Sequence, residues 1–270
     1  MQFKARLLIL AFVLAAAAGA AYAQRGGRGF SGIRRPGPDS FTGSFTFCRL
    51  AVRPAYDGDG GSWAVDYPRA DENLSIRRAE LTKTPITVDE AGAPHYVVIQ
   101  ATEPELFHCP FVALTNPGRA FLSDEDAAAL RKYFQKGGFM WSDDFWGSYS
   151  WDHWIRELRK VLPALDYPLV DLPIAHPMFH TLFDAKRIPQ IPNIGFYQGT
   201  GRTSERGYDS ERPHACAILD SKGGVVVLIT HNTDFGDAYE REGEDPEYFY
   251  KFSVEGYAVG IDVLLYAMTH

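Results

Sequence analysis

The chain has 270 residues, of which 46% are apolar or aromatic and 23% charged, and its formal net charge is −7 at pH 7. No basic stripe with interleaved aromatics offsets that acidity, which excludes nucleic acid as a partner. An acidic surface of this kind is compatible with metal ions, neutral sugars or simple solubility.

Residues 1–23 carry a targeting pattern: Lys4 and Arg6, an apolar run over 7–18, and the small-x-small site Ala21-Tyr22-Ala23. This reads as a secretory signal peptide whose apolar core is too short for a comfortable membrane span, with an uncleaved anchor as the alternative. Its removal takes the charge from −7 to −9, because Lys4 and Arg6 leave with it. No later segment is long and apolar enough to cross a bilayer, so the mature protein is expected to be exported, to the periplasm in the first instance. Residues 24–43, rich in Gly, Arg and Pro, read as a flexible linker. Contact of Arg25, Arg28, Arg34 and Arg35 with anionic lipid or polymer is the alternative for that stretch. The remainder, 44–270, reads as a single α/β domain with a proper core.

Phe45, Phe47, Leu50 and Val52 mark a first strand over 45–52. A glycine-rich turn at 57–61 leads through Trp63 and Asp66 to a helix over 69–81, with Leu74, Arg77, Arg78 and Leu81 at i, i+3, i+4 and i+7. Strands follow at 96–99 and 110–115, separated by a short helical turn at 103–106, and Asn116-Pro117-Gly118 is a turn. Ser123 is a natural N-cap for an amphipathic helix over 123–136. Asp124, Glu125 and Asp126 suit its dipole, and Gly137-Gly138 supplies a left-handed stop. The run 139–142 reads as a buried parallel strand, Asp143-Asp144 as an acidic turn, and Trp151, Trp154, Ile155, Leu158 and Leu162 as the next helix. That unit puts the two aspartates at the carboxyl edge of a parallel sheet, where ligands usually bind.

A strand at 167–172 precedes residues 173–213, which are dense in Pro, Gly and aromatics and read as an insertion or lid over the sheet edge. Strands at 215–219 and 225–230 form a hairpin at the sheet margin, and 254–268 is a buried helix. The alternation predicts a three-layer α/β sandwich with a mostly parallel sheet. Cys48, Cys109 and Cys216 lack CxxC spacing and sit in or beside apolar strands. Buried free thiols are the preferred reading, and one disulfide is the alternative that export permits.

Four polar clusters follow or adjoin strand ends: Asp66-Tyr67, Asp143-Asp144, His176 with Asp171, and His231-Asn232-Thr233-Asp234 with Asp237. Gathered at one edge, they would supply several carboxylates and two imidazoles. Such a set suits a divalent metal, although no HxH, HExxH or paired CxxC spacing supports one, and no cofactor is otherwise expected. Each cluster has a structural alternative. Asp143 or Asp144 would cap the next helix, Asn232 and Asp234 would form a turn, Asp237 would cap a short helix, and His176 would bond a backbone carbonyl. His153 and His180 read as packing residues. No Ser or Cys stands in a glycine-flanked strand-to-helix turn, so elbow-type nucleophilic catalysis is not expected.

The ordered series Asp66-Tyr67-Pro68, Gly137-Gly138-Phe139 with Asp143-Asp144-Phe145-Trp146-Gly147, His176-Pro177, His231-Asn232-Thr233-Asp234 and the closing Tyr266-Ala267-Met268-Thr269-His270 resembles the DUF4159 family. That is a bacterial family of unknown function, and the resemblance covers nearly all of 45–270. It implies a class I glutamine amidotransferase-like, flavodoxin-like fold similar to the ThuA-like sugar-utilisation proteins. Those amidotransferases carry a Cys nucleophile at the elbow. Asp143 is its nearest counterpart here, so amidotransferase activity is not carried over. Ala175 stands where family members often have an acid before the His-Pro.

The expected function is binding of a small molecule, a saccharide or a cell-envelope fragment by Asp66, Tyr67, Asp143, Asp144, Trp146, His176, His231, Asn232 and Asp234. Trp141, Trp146, Tyr149 and Phe235 would stack on a sugar face or serve as core. A hydrolase, metal-assisted or not, with Asp143, Asp144 or His231 as catalytic group is the alternative. A scaffold that offers 173–213 to a protein partner is the third reading.

Overall fold

The computed structural model describes residues 32–270. The expected signal peptide, and 24–31 of the expected linker, lie outside the described residues. Seven strands pair into one sheet among the described residues: β1 (Phe47–Ala51), β2 (Tyr96–Gln100), β3 (Phe111–Thr115), β4 (Phe139–Asp143), β5 (Leu169–Asp171), β6 (His214–Leu219) and β7 (Val225–His231). Their spatial order is β2-β1-β3-β4-β7-β6-β5. The first five are mutually parallel, and β6 and β5 extend the far edge antiparallel. Numbered along the chain, the parallel strands run 2-1-3-4-5, the flavodoxin-like doubly wound order, whose direction of winding reverses between β1 and β3. The β6–β7 hairpin forms as expected but lies inside the margin, because β5 pairs with β6 and takes the edge.

Helices α1 (Arg69–Thr82), α2 (Asp124–Gln135), α3 (Gly147–Val161), α4 (Ile194–Thr200), α5 (Phe235–Glu240) and α6 (Val254–Thr269) complete the fold. Side chains alternate across a strand, and the alternation feeds two separate cores. Phe47, Phe139, Trp141 and Leu228 face Leu74 of α1, Tyr239 of α5 and Ile261 of α6. Leu50, Met140, Val227 and Ile229 face Leu130 of α2 and Trp154 and Leu158 of α3. The result is a three-layer α/β sandwich. Ser123 caps α2 in a reciprocal box: its hydroxyl accepts from Asp126 N, and the Asp126 carboxylate accepts from Ser123 N at 3.0 Å. Such a cap contributes about 1 kcal/mol.

Two expectations are corrected here. Cys48 and Cys109 form a disulfide, with their Cα atoms 6.1 Å apart, and only Cys216 among the described residues stays a buried free thiol. The cause is topological, because β1 and β3 are neighbours and Cys109 stands two residues before the start of β3. Nor does Asp143 or Asp144 cap α3, whose N-cap position, Trp146, has no side-chain capping bond. Instead Asn232 Oδ1 accepts from Gly147 N at 2.9 Å and Asp209 Oδ2 from Ser148 N at 2.8 Å.

Residues 35–270 form one compact unit. The end of the expected linker lies against it: Ser40 is buried, the Thr46 hydroxyl donates to its carbonyl at 2.6 Å, and the Phe41 ring stacks on His108 at 5.2 Å. No helix among the described residues is long and apolar enough to cross a membrane.

Candidate functional site

Three adjacent parallel strands end the same way. One residue past β3, β4 and β7 stand Asn116, Asp144 and Asn232, with φ of 53°, 59° and 60°, and Asp66, ahead of α1, has φ 62°. Left-handed backbone is costly for most side chains, and Asn and Asp tolerate it best. Four such residues at one edge concentrate strain where function usually sits. The turns are stitched together, with Asn116 N donating to Asp143 O and Asn232 N to Phe145 O, both at 3.0 Å. The Asn116 side chain donates to Asp144 Oδ2 and accepts from Gly61 N at 2.7 Å, which ties the 57–66 loop to the strand tips.

Asp66, Asp144 and Asp234 each offer a carboxylate oxygen within 4.8 Å of the others. They are 7%, 6% and 3% exposed, and Asp66 Oδ2 is buried without a hydrogen-bond partner among the described residues. Asn116 occupies one oxygen of Asp144, and Asp237 N occupies Asp234 Oδ1 at 2.8 Å, so each keeps a second oxygen. An overlapping set, Asp66 with Asp237 and Glu240, already has its counter-charge: Arg241 lies 3.3 Å from Asp237 and 2.8 Å from Glu240. The first set makes no ion pair among the described residues. Arg49, whose charge acts on Asp66, gives its hydrogen bonds to Asp71, the Trp63 and Val65 carbonyls and the Thr115 hydroxyl. Two full charges 4.8 Å apart repel by about 3 kcal/mol at an effective dielectric of ~20. Burial first, and neighbouring carboxylates second, hold all three acids well above the usual carboxylate range. A Cβ at Gly236 would stand 2.2 Å from Asp66 Oδ2, so glycine alone lets the first turn of α5 come this close.

Asp143 has a different role. Its oxygens accept from the Thr230 hydroxyl and from Phe235 N, each at 2.6 Å, and burial pushes its pKa up to about 7. It ties β4 to β7 and to the start of α5. Beneath it lies a cavity of ≈ 30 Å³ lined by Asp143, Arg49, Thr115, Trp141 and Tyr239, enough for a water or two.

The remaining expected residues divide. Tyr67 is half-buried, with its ring 5.4 Å from Tyr96. Trp146 is buried yet belongs to neither apolar core. Trp141 and Phe235 are core residues in edge contact at 5.2 Å, which removes them as sugar platforms; Tyr149 is exposed, and its hydroxyl donates to Asp57 O.

His231 faces the layer opposite to Thr230, packed on Phe145 at 4.7 Å and Trp151 at 5.1 Å, with Nε2 3.0 Å from Gly147 O. Burial lowers its pKa to about 4, and its ring lies on the face of the sheet away from Thr230 and Asp143.

His176 is corrected in position as well. Its Nδ1 accepts from Met178 N at 3.2 Å, and its ring meets Tyr266 near the end of α6. Met268, two residues beyond Tyr266, lines a pocket with Pro110 and Phe111 at the start of β3, so His176 stands at the amino edge of the sheet. Asp171, on β5, accepts from the Cys216 thiol of β6, away from the cluster. Three of the four expected clusters therefore share an edge.

Part of 173–213 covers that edge. Gln190 Nε2 donates to Asn232 O at 3.3 Å, Ile191 N to the Thr233 hydroxyl at 3.1 Å, Asp234 N to Ile191 O at 2.9 Å and Ile194 N to Asp237 at 2.5 Å. Asn116 and Gly236 were outside the expected site. The available signal for Asn116 was its place one residue past a strand, as for Asp144. Residues 47–268 match the family described as Domain of unknown function (DUF4159). No curated protein matches the chain.

Proposed function

The chain belongs to the DUF4159 family, whose description names no activity, and from that premise we propose that it binds a divalent cation and uses it to hold an oxygen-rich ligand at the carboxyl edge of the sheet. The observation that carries this is the buried, unpartnered Asp66 Oδ2 beside second oxygens of Asp144 and Asp234, with no ion pair to any of the three among the described residues. Carboxylate oxygens without imidazole or thiolate suit magnesium, calcium or manganese better than zinc. Such ions take six or more ligands, so positions remain for water or for ligand hydroxyl and carboxylate oxygens. A saccharide or a cell-envelope fragment is the ligand class that fits. The Cys48–Cys109 disulfide supports an exported protein, since such bonds persist in oxidising compartments.

The hydrolase reading has less support. Asp143 has both oxygens occupied, and His231 points into the other layer. Calorimetric titration with calcium, magnesium and manganese, followed by saccharides and peptidoglycan fragments with and without the ion, tests the proposal. Ligand heat is expected only in the presence of the ion. A protein that takes up none of the three ions would overturn it.

A further inference from the structure

A second pocket lies at the opposite edge of the sheet, where β1 and β3 begin. Its volume is ≈ 470 Å³, within the range of about 300–1,000 Å³ typical of small-molecule sites. Phe41, Phe45, Phe111 and Met268 give it apolar walls, and Arg78 of α1 enters it.

Arg78 is 7% exposed. Its guanidinium carbon stands 4.4 Å from the centre of the Phe45 ring, Nη1 makes one long bond of 3.5 Å to Pro85 O, and Nε is buried with no partner. It makes no ion pair among the described residues, and burial lowers its pKa, disfavouring the charge. Arg49 offers the comparison within the same layer, a buried guanidinium held by Asp71 and three further acceptors. A buried charge left without a partner is expensive to keep. Stacking on Phe45 covers the face of the guanidinium and Nε is enclosed, so the outer Nη1 and Nη2 donors are the end of the fork that would receive a carboxylate through two bonds. One cation balances one negative charge, which favours a monocarboxylate over a phosphate dianion.

We infer that this pocket binds a small monocarboxylate with an aromatic or aliphatic body, its carboxylate on the Arg78 fork and its body against Phe41, Phe45, Phe111 and Met268.

Phenylacetate is the probe, with inorganic phosphate as the counter-probe, followed through methyl-labelled methionine resonances of the purified protein. Met268 lines the pocket, whereas Met140 and Met178 are buried in the two cores and serve as internal references. The Met268 signal is expected to move saturably with phenylacetate and not with phosphate. Arg78→Lys, which keeps the charge and loses the fork, is expected to weaken binding roughly tenfold, and Arg78→Met to abolish it. An immobile Met268 signal, equal affinity in the Arg78 variants, or phosphate binding as tight as phenylacetate would each overturn the assignment. Should Arg78→Met fail to fold, Arg78→Lys and the wild-type titration still decide. The outcome is independent of the cation site, which occupies the other edge.

Discussion

Asp66→Asn separates a cation site from a structural acid cluster by the sign of its effect. Asparagine keeps the shape of Asp66 and tolerates its φ of 62°. It removes one charge from a triad whose oxygens lie within 4.8 Å, where each ionised pair costs about 3 kcal/mol. Asp66 belongs to two of the three pairs, so about 6 kcal/mol is the ceiling for the relief. Retained protons on the neighbours reduce the gain to about 1–2 kcal/mol, since acids raised this far stay partly neutral. The new amide can also donate to Asp144 or Asp234. Without divalent ions near pH 8, the variant should therefore melt at or above the wild type, by about 2–8 °C for a domain of this size.

Cation changes the comparison. At a concentration about a hundredfold above Kd, the wild type gains about 2.7 kcal/mol, or roughly 5–10 °C, and the variant gains almost nothing. The pH dependence has opposite signs in the two states. With folded pKa values raised, the metal-free protein has its full stability below the ordinary carboxylate pKa of about 4 and loses it as pH rises through the folded values. The loaded protein gains over the same range, because bound carboxylates must be ionised. Melting curves in chelator and in calcium or manganese, for both proteins, measure all of this. A variant that is less stable in chelator yet keeps the wild-type ion shift would refute the reasoning.

Three further outcomes are expected. Gly236→Ala, whose Cβ would meet Asp66 Oδ2 at 2.2 Å, should weaken ion binding roughly tenfold or more by calorimetry, about 1.4 kcal/mol. His231 has a folded pKa lowered from 6.5 to about 4, so its stabilisation is complete above 6.5 and lost as pH falls to 4; urea unfolding at the two ends should show the wild type losing about 3 kcal/mol more than His231→Phe. Joint replacement of Cys48 and Cys109 by Ala opens a 61-residue separation and should cost about 4 kcal/mol by chain entropy, so an unchanged denaturation midpoint would contradict the bond.

The elements were legible because their signals are local. Ser123 with Asp126, Gly137-Gly138 and the apolar runs at 96–99 and 139–142 each act within a few residues, and α2, β2 and β4 formed where they pointed. Asp143-Asp144 was legible as an edge feature for the same reason. What depends on pairing was not. Cys48 meets Cys109 only because β1 and β3 are neighbours, and Asp66 meets Asp234 only because two loops converge over the sheet. His231 could have been oriented from the chain alone. Leu228 and Ile229 face opposite cores, so Thr230 and His231 must alternate after them, and His231 falls on the side away from Asp143. His176 gave no such clue, since nothing local in 173–213 says which edge a residue reaches.

The same edge also bears on the choice of a cation, rather than an anion, in the proposed function. In doubly wound folds, helix N-termini at the carboxyl edge present unpaired amides and a positive dipole end, and they commonly receive phosphate or carboxylate ligands. Here the protein's own side chains already occupy those amides. At α3, Gly147 N and Ser148 N donate to Asn232 and Asp209; at α5, Phe235 N and Asp237 N donate to Asp143 and Asp234. Each acid that answers a helix end brings its carboxyl group beside the strand tips, so the dipoles are satisfied and carboxyl oxygens remain in surplus. Asp66 adds a further acid with an oxygen that nothing among the described residues satisfies. An edge arranged in this way would repel free anions, and under the proposed cation site an acidic ligand would reach it in company with the metal ion.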